Sequence, residues 1–320
     1  MDSLAAADAL RQWALDEELK ERVMSSPPLA ALASKIARRY TAGESIDDAL
    51  AATRRSAVRG HRASVEYVGE SVRDADIAVA ETDIIVELSH RLSETGVPTT
   101  VSLDLSHIGS VVDPQLGLDN ARRILDALAP HGATMMISAE GSDRTDTTLE
   151  MYESLSETHS GVGITIQARL HRTRTDLARV LDCPGPIRLV KGAFHETSDH
   201  ALTREDDALH SAYRHFADEI IAAGHELSIA THDQTLIDAI LADSTLSGSS
   251  SVEFEMLLGL GTIALDELAA KNYRTREYSV FGTEWWLYVL NRLAEDPERL
   301  FAALVDVNGP DVAHELGRRQ

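Results

Sequence analysis

Residues 187–194 read Ile-Arg-Leu-Val-Lys-Gly-Ala-Phe, an apolar run that follows a Pro-Gly-Pro turn and precedes polar residues. This pattern predicts a short buried strand with Lys191 at its C-terminal end. Burying an ammonium group is costly unless its charge has a use, and lysine is rare here, with four lysines against twenty-six arginines. Gly192 leaves the backbone bare, so that a ligand can approach it closely. The stretch predicts a site for a flat, electron-rich group; the alternative is a lysine that extends into solvent.

Strand and helix patterns alternate on both sides of this stretch. Strand patterns occur at residues 63–68, 101–106, 134–140, 163–169, 187–194, 226–232, 252–257 and 276–280. Eight strand–helix units fit the length of a TIM-type (β/α)8 barrel, and helical spacers favour parallel strands. A doubly wound open sheet would need a glycine-rich turn after its first strand, and residues 69–73 contain one glycine. We therefore predict the α/β class, with a barrel at residues 61–320.

Residues 1–60 carry helical patterns and predict a helical segment that packs on the barrel. The first helix has one apolar face, formed by Leu4, Leu10, Trp13, Leu15 and Leu19. Pro27-Pro28 ends this helix, and a second helix spans residues 29–40. Ser45 and Asp48 have the spacing of a capping box at the start of a third helix.

The composition excludes several kinds of partner. A net charge of −22 over 320 residues argues against nucleic acid and against an anionic membrane surface. A salty environment, a need for solubility and a basic partner all remain possible reasons for the acidity. The single cysteine, Cys183, excludes an internal disulfide and a cysteine-based zinc site. The sequence has no signal-peptide pattern and no long apolar run, so we expect a cytoplasmic protein. Peripheral association with a membrane stays open.

Polar residues concentrate at the predicted strand ends, where barrels place their chemistry. They are Glu70, Asp104, Ser138, Glu140, Gln167, Arg169, Lys191, His232, Glu253, Glu255 and Tyr278. Any one of them has a structural alternative, because barrel interiors also contain satisfied polar residues. We predict no metal, since no His-x-His element occurs and Arg188 and Lys191 would share the cavity. A phosphate loop at residues 259–261 has only two glycines in its favour.

From about Gly43 to Leu300 the chain resembles the proline dehydrogenase family, flavin-dependent enzymes that oxidise proline to pyrroline-5-carboxylate. The matching segments, in family order, are residues 67–70, 101–103, 139–140, 167–168, 188–193, 230–232, 253–257 and 292–295. The resemblance implies FAD as cofactor. The positions that it assigns to FAD are Ala139, Gln167, Arg188, Lys191, Gly192, Ala193, Thr231 and His232. The charges of Arg188 and Lys191 would stabilise reduced flavin.

The positions that the resemblance assigns to the substrate depart from the family pattern. They are Asp104, Ser138, Arg169, Phe194, Tyr278, Tyr288, Asn291 and Arg292. Asp104 stands where the family has a lysine that holds the substrate carboxylate, and Asn291 replaces the first of two arginines with the same role. Ser138 replaces an aspartate, and Phe194 and Arg169 each replace a tyrosine. Tyr278, Tyr288 and Arg292 are retained.

Two of the three cations expected around a carboxylate are therefore missing. Each charge-assisted hydrogen bond contributes on the order of 1.5–3 kcal/mol, so free proline would bind far more weakly. Asp104 would also lie beside Glu70, which favours a shared proton or a cationic ligand group between the two carboxylates. Arg169 could compensate for the missing cations, and the residues leave this open.

We predict an FAD-dependent enzyme that removes hydride from a C–N or N–N substrate other than free proline. Asp104, Glu70 and Arg292 are the candidate catalytic residues, the first two binding the amine or taking its proton. The substrate is a small nitrogen compound whose carboxylate is masked as an ester, an amide or a carrier-bound thioester. The electron acceptor is unidentified: a quinone, oxygen or a soluble carrier. The alternatives are an ordinary proline dehydrogenase and a flavin-free scaffold.

Overall fold

The structure is a computed structural model that describes residues 2–69, 71–194, 196–203 and 207–308. Eight parallel strands in these ranges close into a barrel. They are β1 (Arg62–Tyr67), β2 (Thr99–Leu103), β3 (Thr134–Ile137), β4 (Val162–Gln167), β5 (Ile187–Val190), β6 (Leu227–Ala230), β7 (Val252–Leu257) and β8 (Thr275–Phe281). The strands pair in chain order, and β8 closes on β1 with Ala63 opposite Glu277 and Tyr67 opposite Phe281. The predicted fold class is confirmed.

Helices surround the barrel and precede it. Within the described ranges they are α1 (Asp2–Ala14), α2 (Glu17–Met24), α3 (Pro27–Ala37), α4 (Ile46–Val58), α5 (Ala75–Ser93), α6 (Pro114–Leu128), α7 (Thr145–Ser156), α8 (Thr173–Leu181), α9 (Asp207–Ala222), α10 (Gln234–Leu241), α11 (Ser244–Ser247), α12 (Thr262–Ala270), α13 (Trp286–Glu295) and α14 (Arg299–Asn308). None of these helices combines the length and the apolar character needed to cross a bilayer.

The main hydrophobic core lies between the barrel wall and the helices. Strand side chains alternate between the two faces of the barrel wall. On β5, Ile187 and Leu189 are completely buried in the layer below the helices. The Tyr213 hydroxyl of α9 donates to the Leu189 carbonyl at 2.6 Å, which ties that helix to the strand. This alternation turns Arg188 toward the barrel axis.

The barrel interior is held together by a buried ion pair. Arg188 donates from Nε and from Nη2 to the two carboxylate oxygens of Glu255 on β7, at 2.8 Å each. The same Nη2 also donates to the hydroxyls of Ser64 on β1 and Ser102 on β2, at 3.0 Å each. Ser228 on β6 donates to Glu255 as well. One guanidinium therefore connects side chains from across the barrel, which fits the rule that buried charges are paired and hydrogen-bonded.

The N-terminal segment differs in part from the sequence prediction. The predicted first helix is two helices, because the Asp16 carboxylate caps α2 by accepting the Leu19 backbone N–H at 2.9 Å. The predicted apolar face is not fully buried: Trp13 is 50% exposed and Leu15 is 76% exposed. Pro27 begins α3, as expected for proline in a first helical turn. A division at residue 60 stays a prediction.

Hydrogen bonds order the N-terminal helices and hold them on the barrel. The predicted capping box is confirmed, with Ser45 and Asp48 satisfying each other's backbone N–H groups at the start of α4. At the end of α4, Arg59 donates to the buried Glu277 of β8 at 2.8 Å. Trp286 of α13 donates from its ring nitrogen to the Trp13 carbonyl at 2.9 Å, which fixes α1 beside α13.

We predict that Glu255→Gln lowers the free energy of unfolding by roughly 3–5 kcal/mol, because it leaves the Arg188 charge buried without its partner. Burial raises the pKa of Glu255, but the adjacent Arg188 outweighs this effect and the net shift is downward. The destabilisation should therefore be complete above about pH 5 and decline as the pH falls below the ordinary glutamate pKa of ~4.3. Urea denaturation at several pH values measures it.

The matched control is Glu153→Gln, which removes one charge from an Arg–Glu pair on the protein surface. Glu153 accepts from Arg179 at 2.7 and 2.9 Å. Solvent screens this pair, so its loss should cost at most about 1 kcal/mol. Equal losses for the two variants would contradict the role given to the Arg188–Glu255 pair.

Candidate active site

Polar side chains gather at the C-terminal ends of the strands, and several lie just beyond them. Strands β2, β3, β5 and β6 end earlier than predicted, so Asp104, Ser138, Lys191 and His232 stand in the turns that follow them. Such turns are where barrel enzymes carry their chemistry. Glu70, predicted as a catalytic residue, lies outside the described residues.

Two neighbouring carboxylates act on Asp104 at this mouth. Burial raises the pKa of Asp104 well above its usual value, and the charges of Glu66 and Glu140 raise it further, while Arg144 acts in the opposite direction. Arg144 is already paired with Glu140, whose other oxygen accepts the Ser106 backbone N–H at 3.0 Å. Asp104 therefore lies in an acidic environment that one engaged arginine does not neutralise.

Glu66 is a site residue that the sequence prediction missed. Its carboxylate accepts the hydroxyl of Tyr278 from β8 and, at 3.1 Å, the hydroxyl of Ser138. Burial and the charge of Glu66 raise the pKa of Tyr278 well above its usual value, so the phenol stays protonated and donates. Strand periodicity could have found Glu66, because it lies two residues after Ser64 and shares its inward face.

Arg188 contacts the aromatic ring of Tyr278, which belongs to this site. Its guanidinium carbon lies 5.0 Å from the ring centre of Tyr278, within the range of a cation–π contact. Its charge is not free, however, because both oxygens of Glu255 are bound to it. Arg188 thus contacts the site from the barrel interior, through Tyr278. A bound cofactor would experience the field of the Arg188–Glu255 ion pair.

Lys191 is also paired. Its Nζ donates to the carboxylate of Asp233, at the start of α10, at a distance of 2.6 Å. Gly192 has φ +113°, a backbone conformation that favours glycine. A Cβ at this position would lie 2.8 Å from the Arg169 side chain and 3.1 Å from Gln167 Oε1. Glycine therefore makes room here for two neighbouring side chains.

The other residues predicted to bind FAD surround this turn. Gln167 is buried and donates to the Glu140 carbonyl at 2.9 Å, which brings the β4 end against the Ala139–Glu140 turn. Thr231 is buried and accepts the Asp233 backbone N–H at 3.2 Å. Ala193 is exposed in the loop after Gly192.

His232 lies in the turn after β6 and is exposed to solvent over more than a third of its surface. Its Nε2 accepts the Leu257 backbone N–H at 3.0 Å, which leaves the proton of a neutral ring on Nδ1. Desolvation, followed by the charges of Arg292 and Arg299, lowers the pKa of His232 to about 4. The ring is therefore a neutral hydrogen-bond donor at neutral pH.

Arg169 holds a loop in place. It donates to the carbonyls of Leu202 at 2.9 Å and Phe194 at 2.8 Å, and is 6% exposed. Both acceptors belong to the segment after β5, so the guanidinium anchors this segment. Phe194, predicted to contact substrate, has a side chain that is 40% exposed. Arg169 and Asp104 share no contact among the described residues.

The retained substrate positions on α13 carry polar atoms without partners. Among the described residues, Tyr288 Oη and Arg292 Nε are buried and have no hydrogen-bond partner. The Arg292 guanidinium lies 5.4 Å from the Tyr288 ring centre and is paired with Glu295 at 2.9 Å. Asn291 is half-buried beside them. Unsatisfied buried donors are costly, which is typical of a site that binds a ligand.

Comparison with known proteins identifies the family. The profile described as proline dehydrogenase matches residues 49–296, about three quarters of the chain. The chain belongs to the proline dehydrogenase family. It is 32% identical over 271 residues to a proline dehydrogenase of Deinococcus radiodurans, covering 82% of this chain and 86% of that protein. Proline dehydrogenase 1 of Bacillus subtilis is 29% identical, covering 82% and 87%.

Solved structures share the fold. Proline utilization A of Bdellovibrio bacteriovorus, inactivated by N-propargylglycine, superposes with a TM-score of 0.77 at 19% identity, covering 92% of this chain and 36% of that protein. Proline utilization A of Bradyrhizobium japonicum gives 0.70 at 20% identity, covering 81% and 30%. The chain thus spans about a third of these longer proteins. Membership of the proline dehydrogenase family confirms the predicted class, a flavin-dependent dehydrogenase that acts on CH–NH donors.

We predict that Asp104→Asn stabilises the protein at pH 8, because it removes a negative charge that the folded state disfavours. The folded-state pKa of Asp104 is raised. The gain should therefore be largest above that pKa and decline as the pH falls, disappearing only below the ordinary aspartate pKa of ~3.9, where the carboxyl becomes neutral in folded and unfolded chains alike. Thermal unfolding between pH 4 and 8 measures it. Exposed Asp199 provides the control Asp199→Asn, which removes the same charge from the protein surface and should leave the unfolding temperature close to that of wild type.

Proposed function

We propose that this protein is an FAD-dependent dehydrogenase that oxidises a cationic amine whose carboxylate is absent or masked. The observation that carries the proposal is the acidic environment of Asp104, formed with Glu66 and Glu140. A protonated amine between these carboxylates would relieve their repulsion, whereas the carboxylate of free proline would add to it. The proposed site residues are those predicted from the sequence, with Glu66 in addition.

The cations at the mouth support this choice of substrate class. Four are occupied by the protein itself: Arg188 by Glu255, Lys191 by Asp233, Arg144 by Glu140, and Arg169 by two backbone carbonyls. Moving any of them to a substrate carboxylate would break contacts that are already made, some of them buried.

Arg292 and Tyr288 support a masked carboxylate in particular. The unpartnered Arg292 Nε and Tyr288 hydroxyl can donate to one neutral carbonyl oxygen, such as that of an ester, an amide or a thioester. Arg292 keeps its ion pair with Glu295, so it offers a hydrogen bond with little additional charge. A substrate held in this way would place its carbonyl at α13 and its amine at Asp104.

The residues present fit a flavin on the opposite side of the mouth. Gln167, Lys191, Thr231 and His232 would hold it, with Gly192 allowing close approach to the backbone. When bound, FAD would supply the hydride acceptor. Asp104 would bind the ammonium group and accept the proton that the amine must lose before hydride can leave. Tyr278, oriented by Glu66, would keep the substrate next to Asp104.

An ordinary proline dehydrogenase is the second candidate. The names of the relatives and the retained Tyr278, Tyr288 and Arg292 favour it. Under this alternative Arg292 alone would hold the substrate carboxylate, and Asp104 would remain protonated.

The first test uses the flavin as its own reporter, so that no electron acceptor is needed. We expect purified protein to be yellow and, without oxygen, to be bleached by L-prolinamide or pyrrolidine at least about tenfold more efficiently than by free L-proline. That ratio corresponds to ~1.4 kcal/mol, the lower end of one charge-assisted contact. Stopped-flow absorbance at the flavin band measures it. Faster bleaching by free proline would establish the ordinary enzyme, and colourless protein that cannot be loaded with FAD would favour a scaffold.

The second test restores the missing cations. We expect Asp104→Lys combined with Asn291→Arg to raise the efficiency of free-proline oxidation by about a hundredfold or more, because two charge-assisted contacts to the carboxylate are regained. The control Asp104→Asn removes the negative charge without adding a cation and should give a smaller gain. A loss of proline oxidation in the double variant would contradict the proposed substrate class.

A further inference from the structure

We propose that Asp233 is a positioning residue that sets the redox potential of the bound flavin by acting on Lys191. This inference rests on the proposed function, because it requires a flavin beside Lys191. Asp233 was not among the predicted site residues. Asp233 fixes the position of the Lys191 ammonium group and offsets part of the positive charge that would act on the cofactor.

The register of the barrel brings the two residues together. Val190, the last residue of β5, pairs with Ala230, the last residue of β6. Lys191 therefore leaves its strand beside the turn that connects β6 to α10, and Asp233 lies in that turn. The 2.6 Å contact between Lys191 Nζ and Asp233 Oδ2 joins two adjacent strand ends. Both side chains are three-quarters buried, which limits screening by solvent.

Two further contacts hold the carboxylate, and a third holds the backbone of Asp233. His210 of α9 contacts the same oxygen, Oδ2, from Nε2 at 2.8 Å. The other oxygen accepts the Leu236 backbone N–H at 3.2 Å and caps α10. The Asp233 backbone N–H donates to Thr231 at 3.2 Å. Burial acts to raise the pKa of Asp233, but the hydrogen bonds from Lys191, Leu236 and His210 outweigh it and lower the pKa to about 2. The carboxylate is therefore ionised throughout the physiological range.

A fixed anion beside a fixed cation has a direct consequence for a flavin. A positive charge near the ring system favours the reduced, more negative state and raises the potential. Asp233 offsets part of the Lys191 charge and keeps the ammonium from moving closer to the ring. Without the carboxylate, the full charge would act on the cofactor and the potential would rise.

The test measures the midpoint potential of the flavin-loaded protein by anaerobic titration against a reference dye. Asp233→Asn keeps an oxygen that can cap α10 but removes the charge. At a fixed redox poise we expect the ratio of reduced to oxidised flavin to rise on the order of tenfold, because the released Lys191 ammonium can approach the ring, and a unit charge that moves from about 10 Å to about 5 Å at an effective dielectric constant of about 20 has an effect of that size. Asp233→Glu, which keeps the charge, should remain close to wild type.

A double-variant comparison shows whether the effect passes through Lys191. Lys191→Met alone should lower the ratio, and adding Asp233→Asn to it should change the ratio by less than about twofold. The control is Asp238→Asn, an exposed residue of α10 that contacts Gln234 and should leave the potential unchanged. The inference is overturned if Asp233→Asn changes the ratio equally in the wild-type and Lys191→Met proteins. It is also overturned if Asp233→Asn leaves the ratio unchanged in the wild-type protein.

The same titration separates this inference from the proposed function. Protein that binds no flavin contradicts the proposed function and this inference with it. Protein that binds flavin with the same potential in wild type and Asp233→Asn overturns only the role of Asp233. No substrate enters the titration, so the result does not depend on which amine the enzyme oxidises.

Discussion

The ion pair between Arg188 and Glu255 is the interaction on which the rest of the structure depends. Barrel interiors are usually filled by branched apolar side chains, whereas the layer around this pair consists of serine and threonine hydroxyls. A buried pair of this kind adds little net stability, but losing either partner is expensive, so the hydroxyls around it must keep their places. Since Tyr278 stacks on Arg188 and donates to Glu66, the order of the interior extends upward into the mouth.

At the C-terminal mouth of the barrel, beyond the Arg188–Glu255 layer, the two sides differ in how far their charges are paired. On the side proposed for the flavin, each cation has a nearby anion: Lys191 has Asp233, and Arg188 has Glu255. On the side proposed for the substrate, the Asp104 carboxylate has no ion-pair partner among the described residues and lies near the charges of Glu66 and Glu140. A side of the mouth whose charges are paired suits a permanently bound cofactor, because that side needs no further charge from a ligand to be stable. An unbalanced half suits a ligand that brings the missing charge and leaves again.

The sequence predicted the barrel well because strand periodicity and helical spacers are local signals. All eight strands occur where the patterns placed them, and the main error was at their C-terminal ends, which Asp104 and Lys191 lie beyond. The predicted first helix failed because Asp16 begins a new helix by capping it. Glu66 and Asp233 were missed for another reason. Their roles arise from contacts with Tyr278 and Lys191, which are distant in sequence or joined only by the register of neighbouring strands.

Whether Arg169 replaces the missing cations was the question that the sequence left open, and the geometry now bears on it. Its guanidinium is buried and donates to the carbonyls of Phe194 and Leu202. Turning it toward Asp104 would leave those carbonyls unsatisfied, at a cost of about 1–3 kcal/mol for each one that stays buried. That cost is comparable to what a new contact with a substrate carboxylate would return. Arg169 therefore gains little by moving, which supports the proposal that the amine of the substrate supplies the positive charge beside Asp104.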